Sequence, residues 1–191
     1  GGKGRLFFTD PADPQLVRYT QARRDGYGAE LSADLSIRFD QAGGAIGALG
    51  VLDDLLVTFA AGQIYFVDGP GPLANPDLAP QIGFSPPVQI PSDVGCSAPR
   101  SLAVSSDKIM FQASDGRGLH EVDRSRAVNY VGAPVEAYNG LPIVSADGLP
   151  GKHRTVFLTA SGPALVYDDH HGQWSVLTNH EGLDGQVVAG V

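Results

Sequence analysis

Apolar and polar residues alternate along this chain in short runs, and residues 92–139 show the pattern most plainly. Four strands are predicted there. Residues 101–105 carry apolar Leu102 and Val104. Residues 108–113 follow the turn Ser106-Asp107, and 118–123 follow Ser114-Asp115-Gly116-Arg117. Residues 127–132 come after Arg124-Ser125-Arg126. Short strands parted by Asp, Gly and Ser clusters are the mark of an antiparallel meander. A lone meander leaves an apolar face open and is not stable by itself, so the unit is expected to recur.

The rest of the chain repeats it. Residues 5–9 and 15–19 read as strands joined by the breaker-rich turn Asp10-Pro11-Ala12-Asp13-Pro14. In 35–39, Leu35, Ile37 and Phe39 point inward while Ser36 and Arg38 point outward, a half-buried strand. Residues 45–51 are small and Gly-rich, which suits a place where backbones converge. Strands at 55–60, 63–68 and 88–90 complete that unit, and 142–146, 154–159, 164–168 and 173–179 make another. Residues 69–87, from Gly69 to Pro87, are too rich in Pro and Gly for regular structure. At that length a partner contact is expected of them.

Three central hairpins align: LLVTFAAGQIYFVD ending at Asp68, KIMFQASDGRGLHEVD ending at Asp123 and TVFLTASGPALVYD ending at Asp168. RLFFTDPADPQLVRYT, from Arg5, is a looser copy. A period of about 40–50 residues carrying four strands is the propeller signature. A β-sandwich also has many short strands but gives no reason for four-strand units to recur. The expected fold is therefore all-β, a β-propeller of four-stranded antiparallel blades, partial or a fragment of a larger one. Residues 1–191 form one propeller region with blade pieces at about 5–40, 45–90, 100–132, 142–179 and the start of a further blade at 186–191. The first residue is Gly1 and the last, Val191, falls inside an expected strand, so the chain is expected to be a piece of a longer protein.

Composition narrows function by exclusion. The formal charge is −8, and 17 of the 21 acids are Asp, a residue suited to turns because its carboxylate accepts backbone N–H groups two residues on. An acidic surface does not grip nucleic acid, which needs basic patches. The single cysteine, Cys96, excludes an intrachain disulfide. No apolar run approaches the length of a membrane helix.

Candidate chemistry is sparse. Asp168-Asp169-His170-His171 has the residue types of a metal cluster, yet neighbours in a turn rarely converge on one ion without ligands from elsewhere, so a hairpin turn closed by Gly172 is the favoured reading. His120, His153 and His180 are scattered and suit exposed strand or interface positions. Glycosidase chemistry needs two acids across a sugar-sized gap. Glu occurs only at 30, 121, 136 and 181, and Asp53-Asp54 and Asp168-Asp169 sit in turns. Gly1-Gly2-Lys3-Gly4 lacks the spacing of a phosphate loop. Cys96 is expected to be a small buried residue, and Trp174 to pack between blades. No catalytic, cofactor-binding or metal residue is assigned, and the chain is expected not to be an enzyme.

The ordered set TDPADP (9–14), LDDLLVTFAAGQIYFVDGPGP (52–72), SDVGCSAPRS (92–101), MFQASDGRGLHEVDR (110–124), YVGAPVEAYN (130–139) and ALVYDDHHGQWSVLTNH (164–180) resembles the propeller-containing tail-tube, or nozzle, proteins of short-tailed bacteriophages. The resemblance implies a non-enzymatic virion protein, made in the host cytoplasm and assembled into a ring. Its implied partners are portal or adaptor and tail-fibre proteins, and double-stranded DNA passes through without specific binding. A negative wall fits such a conduit because it repels phosphates. The alternative is a carbohydrate-binding propeller in which Trp174, Tyr65, Tyr138 or Tyr167 stacks on sugars.

Overall fold

The computed structural model describes residues 4–22, 31–32, 34–40, 43–72, 83–105 and 107–178. These residues are nearly all β: fifteen strands and three short 3-10 turns, at Pro99–Ser101, Ala133–Tyr138 and Pro150–Lys152. The first sheet has three strands in the order β1 (Phe7–Thr9), β2 (Leu16–Tyr19), β3 (Ser36–Arg38). The second runs β4 (Ile46–Leu52), β5 (Leu55–Ala60), β6 (Ile64–Val67), β7 (Val88–Gln89). The third is β8 (Ala103–Val104), β9 (Lys108–Gln112), β10 (Leu119–Asp123), β11 (Val128–Tyr130), and the fourth β12 (Ile143–Leu149), β13 (Arg154–Thr159), β14 (Ala164–Asp168), β15 (Gln173–Leu177). Every pairing is antiparallel between chain neighbours. The expected start of a further blade, 186–191, lies outside the described residues.

The register gives the hairpin repeat a physical basis. Asp123 stands opposite Lys108 and Asp168 opposite Arg154, so these acids occupy one position of one hairpin. The opening strands β4 and β12 also share an irregularity. Each slips by one residue just after its start, between Ile46 and Ala48 and between Ile143 and Ser145. A bulge recurring at one place in two units is a structural feature of the repeat rather than a local accident.

The sheets fall into two compact units, Gly1–Ser97 and Ala98–Val191. In the first, Val17, Tyr19, Ile37 and Phe39 of the three-stranded sheet and its flank meet Ile46, Leu56, Tyr65 and Val67 of the next. In the second, Ala103, Met110 and Leu119 meet Ile143, Phe157, Leu165 and Tyr167, with Val135 inserted from the 3-10 turn. Phe59, Phe111 and Phe157 are completely buried, each stabilising its unit by about 1.5–3 kcal/mol relative to exposure.

Two sequence expectations need correction. Residues 101–105 were expected to bury an apolar strand, but Ser101 closes a 3-10 turn and β8 is two residues long. It is Ala103 that is buried, and Val104 is 38% exposed. The fourth sheet's first strand runs on to Leu149 through Asp147-Gly148, which has the composition of a turn. Gly148 stays in the strand because it backs onto β8. A Cβ there would overlap the Val104 carbonyl oxygen and stand 2.9 Å from its carbon.

The connection from β11 to β12 is fixed by side chains. Gln112 donates through Nε2 to the carbonyls of Asn139 (3.0 Å) and Leu141 (2.8 Å), and its Oε1 accepts Ile143 N–H at 3.1 Å. Asn139 in turn donates to Tyr130 Oη (2.7 Å) and the Gly132 carbonyl (3.2 Å). Its amide covers Gly118 and Gly132, where any Cβ would collide with it. The YVGAPVEAYN segment thus acts as a clasp holding the third sheet to the start of the fourth.

Candidate functional site

The most concentrated polar chemistry among the described residues lies between the third and fourth sheets. Lys108 opens β9, Glu121 is on β10, and Asp169 follows β14. Lys108 Nζ donates to Glu121 Oε2 at 3.1 Å and lies 3.9 Å from Asp169 Oδ1. The three side chains are 11%, 15% and 8% exposed. Asp169 Oδ2 accepts from Ser105 Oγ at 2.9 Å and Thr155 Oγ1 at 3.4 Å. The Tyr167 ring lies 5.0 Å from the ammonium, in cation–π range. Burial works against the Lys108 charge, but the hydrogen bond and charge of Glu121, with Tyr167 and Asp169, outweigh it and hold the ammonium above its ordinary pKa. A fully protonated lysine is not a nucleophile. Two carboxylates already spent on one cation and closed from solvent also leave no sugar-sized gap. The arrangement clamps sheet to sheet.

The Asp-ended hairpins behave as turn chemistry. Asp123 Oδ1 accepts Ala127 N–H at 3.0 Å and Ser125 Oγ–H at 2.6 Å. Asp168 Oδ1 accepts the N–H groups of His170 (3.0 Å) and His171 (2.9 Å) and faces His171 Nδ1 at 3.0 Å. The His171 N–H holds the Asp168 carboxyl below the usual carboxylate range. Asp10 behaves likewise: the Ala12 N–H and then Arg18, whose Nε is 2.5 Å away, lower it. Among the described residues, no group of three or more His, Cys, Asp or Glu side chains could hold a metal ion.

Of the rings named for sugar stacking, Tyr65 and Tyr167 are 4% and 8% exposed and offer no open face. Trp174 lies against Tyr167 (4.9 Å between centroids) and Phe157 (6.0 Å), and its indole N–H donates to the Val131 carbonyl at 2.8 Å. Its ring packs on residues of the fourth sheet, and its polar edge reaches the segment that follows β11 of the third. Tyr138 is half-buried beside the same core. His120 is buried against Phe111 and Tyr130. Cys96 is fully buried, and Asp53-Asp54 form the β4–β5 turn with Asp53 at φ 54°. His180, Glu30 and Glu181 lie outside the described residues.

The loop 69–87 is described only at its ends, and both are anchored. Ser85 N–H donates to the Asp68 carbonyl at 2.7 Å, and Asp68 N–H to Ser85 Oγ at 3.0 Å. Phe84 packs edge-on to Tyr19 and Phe7. Arg5, buried beside these rings, donates to the carbonyls of Thr20 and Pro72. An open groove of about 300 Å³ lies alongside, lined by Tyr19, Arg38, Phe84 and Pro86 among others. Arg38 is already paired with Asp13 and Asp40, both at 2.6 Å.

These ionisations fix a pH dependence. Asp10 and Asp168 have lowered folded-state pKa values. Their contribution is present above the unfolded value of about 3.9 and lost as pH falls through the folded one. Lys108 is raised, as burial also raises Tyr19, Tyr65 and Tyr167. Their contribution is full below the unfolded values of about 10–10.4 and lost as pH rises through the folded ones. Urea midpoints should therefore stay level from about pH 5 to about pH 9.5 and fall on both sides. Asp10→Asn should shallow the acid limb, and a protein equally stable at pH 3 and pH 7 would contradict the assignment.

No protein-family model matches the chain, and no curated protein matches it. Among solved structures it is similar to the extracellular domain of a hybrid two-component system from B. thetaiotaomicron, with a TM-score of 0.44 and 17% identity, covering 92% of this chain and 22% of that one. It is also similar to BamB from Moraxella catarrhalis, with a TM-score of 0.36 and 14% identity, covering 91% of this chain and 66% of that one. The chain thus spans about a fifth of the first structure's length and just under two thirds of the second's.

Proposed function

We propose that this chain is a non-enzymatic structural module, a β-propeller segment of a phage tail tube or nozzle that helps wall the conduit for the genome. The observation that carries the structural half is the use made of its buried polar groups. Asp169, just after β14, accepts from Ser105 of the third sheet and faces Lys108, which Glu121 holds on that sheet, while Gln112 reaches from the third sheet to Asn139, Leu141 and Ile143 at the start of the fourth. The repeated hairpin register and the shared bulge of β4 and β12 support a propeller. The fourth sheet supports it too: Leu158 is 39% exposed and Val156 and Val166 are half-buried, an apolar face suited to a further blade. The phage assignment rests on the sequence resemblance from about residue 5 to residue 180, and the charge of −8 suits a wall that DNA passes without sticking. On this reading the protein assembles as a homo-oligomeric ring in the virion, against portal or adaptor and tail-fibre proteins.

Electron microscopy of the purified protein tests it. Ring-shaped particles with a central lumen are expected, and no binding on a glycan array. A monomer at micromolar concentration, or specific glycan binding abolished by Trp174→Ala, would overturn it.

A further inference from the structure

The groove beside the end of loop 69–87 runs along an open strand edge. It holds about 300 Å³, and three consecutive residues of β3, Ser36, Ile37 and Arg38, line one side of it. A groove over a sheet face meets alternate residues of a strand, so this one follows the edge. β3 is the last strand of its sheet. Tyr19 N–H donates to the Leu35 carbonyl and Phe39 N–H to the Gln15 carbonyl, both at 3.0 Å. Val17 stands opposite Ile37. Residues 35, 37 and 39 therefore turn their main chain to β2, and Ser36 and Arg38 turn theirs to the groove. Ser36 N–H donates to the Asp34 carbonyl at 3.0 Å. The Ser36 carbonyl and both main-chain groups of Arg38 have no hydrogen-bond partner among the described residues.

The rest of the groove suits an extended chain. Its lining is apolar where it is deepest: Tyr19 and Ile37 are buried and Phe84 is half-buried. Pro86 and Pro87 line it too, and neither has an N–H to offer, so ladder pairing falls to β3. That proline segment is held in place, since Ser85 bonds to Asp68 through both its N–H and its hydroxyl. The charged rim is acidic. Asp34 and Asp40 are exposed at the two ends of β3, and Arg38 is shared between Asp13 and Asp40. Arg18, across from Ser36, is matched by Asp10.

We propose that this groove takes an extended segment of a partner protein, added to the first sheet as a strand beside β3. The segment is apolar at alternate residues and carries Lys or Arg at its ends. The Arg38 N–H and the Arg38 and Ser36 carbonyls bond its main chain. In strand addition such bonds supply affinity, and contacts to alternate side chains supply specificity. Here those side chains pack on Tyr19, Ile37 and Phe84. Because carboxylates outnumber guanidinium groups at the rim, a basic segment is drawn in and an acidic one is repelled. The edge is too short to recruit a whole sheet, and a single strand is the occupant that matches it. None of these contacts depends on the phage assignment.

The probe is a fluorescein-labelled peptide of alternating Val and Thr with Lys at both ends, titrated with the intact chain and followed by anisotropy. Its counterpart carries Glu at both ends. The Lys-ended peptide is expected to bind one per chain, at least about tenfold more tightly than the Glu-ended one. Asp34→Asn with Asp40→Asn, both at exposed positions, should narrow that preference to about threefold or less. N-methylation of the Val residues or of the Thr residues should abolish binding in one case and spare it in the other, because only alternate residues face the edge. Amide hydrogen exchange read by NMR should slow at Arg38 by at least about tenfold when peptide saturates the protein. No binding of either peptide, equal binding of both, or equal tolerance of both methylation patterns overturns the site. An Arg38 amide protected without peptide overturns the partner. Protection that rises with protein concentration then assigns the edge to a second copy, and constant protection assigns it to the chain itself.

Discussion

Replacing Lys108 by methionine is expected to destabilise the second unit by about 3–5 kcal/mol, the cost of leaving a buried charge without its partner. The methionine keeps most of the apolar stem, so packing is largely preserved. What is lost is the cation between Glu121 and Asp169, which are then left facing each other with little access to water. For a chain of this length the loss lowers the thermal midpoint by roughly 6–20 °C. Trp174, the only tryptophan, lies in the fourth sheet, so its fluorescence reports on this unit. Arg154→Met is the control. Arg154 occupies the same register position opposite Asp168 but is exposed, and its loss should stay within about 0.5 kcal/mol. Adding Glu121→Gln and Asp169→Asn to Lys108→Met should recover much of the loss, because neutral replacement of a whole buried ion cluster is often harmless. A Lys108→Met protein within 1 kcal/mol of the parent by urea denaturation, a limit well below the expected penalty, would sink the clamp.

The strands were legible in the sequence, and this cluster was not, for one physical reason. Period-two alternation and Asp–Gly–Ser punctuation are local, and they place β13 and β14 at the residues where the structure has them. The hairpin repeat is also local, and pairing places two of its three Asp residues, Asp123 and Asp168, at the end of their hairpins. Ser105 and Asp169 are 64 positions apart, and only the packing of one sheet on the next brings them together. Asp169 looked like the second residue of an ordinary turn, and its neighbour Asp168 does serve that turn. Local patterning also failed where packing overrode it. The Asp147-Gly148 pair signals a turn, but a glycine pressed against the Val104 carbonyl is what lets β12 continue. The 3-10 turn at Ala133–Tyr138 is too short to leave a helical period, so its buried Val135 had no signature.

Gly95→Ala is expected to be the most disruptive single-methyl change in the first unit. A Cβ at Gly95 would overlap the Ala60 carbonyl oxygen and stand 2.7 Å from Gln63 N. Both atoms belong to the turn joining β5 to β6, where Ala60 N–H already pairs with the Gln63 carbonyl at 2.9 Å. No flexible side chain is available to move aside, so the backbone must shift. The segment is also held from behind, because a Cβ at Gly47, on the bulge of β4, would meet Cys96 O at 2.7 Å. Residues 95–97 are thus a backbone layer pressed between two others, and glycine faces each contact. This is the convergence that the small-residue composition of 45–51 implied. Overpacking of a dense core costs typically 1–3 kcal/mol and occasionally more, and backbone meeting backbone on both sides puts Gly95→Ala at or above about 3 kcal/mol. Gly140→Ala, where nothing lies within 4 Å, should stay within about 0.5 kcal/mol. Circular dichroism through a urea titration measures both, with limited proteolysis to show which unit opens. If Gly95→Ala melts with the parent, the three-layer contact is not what fixes the opening strand.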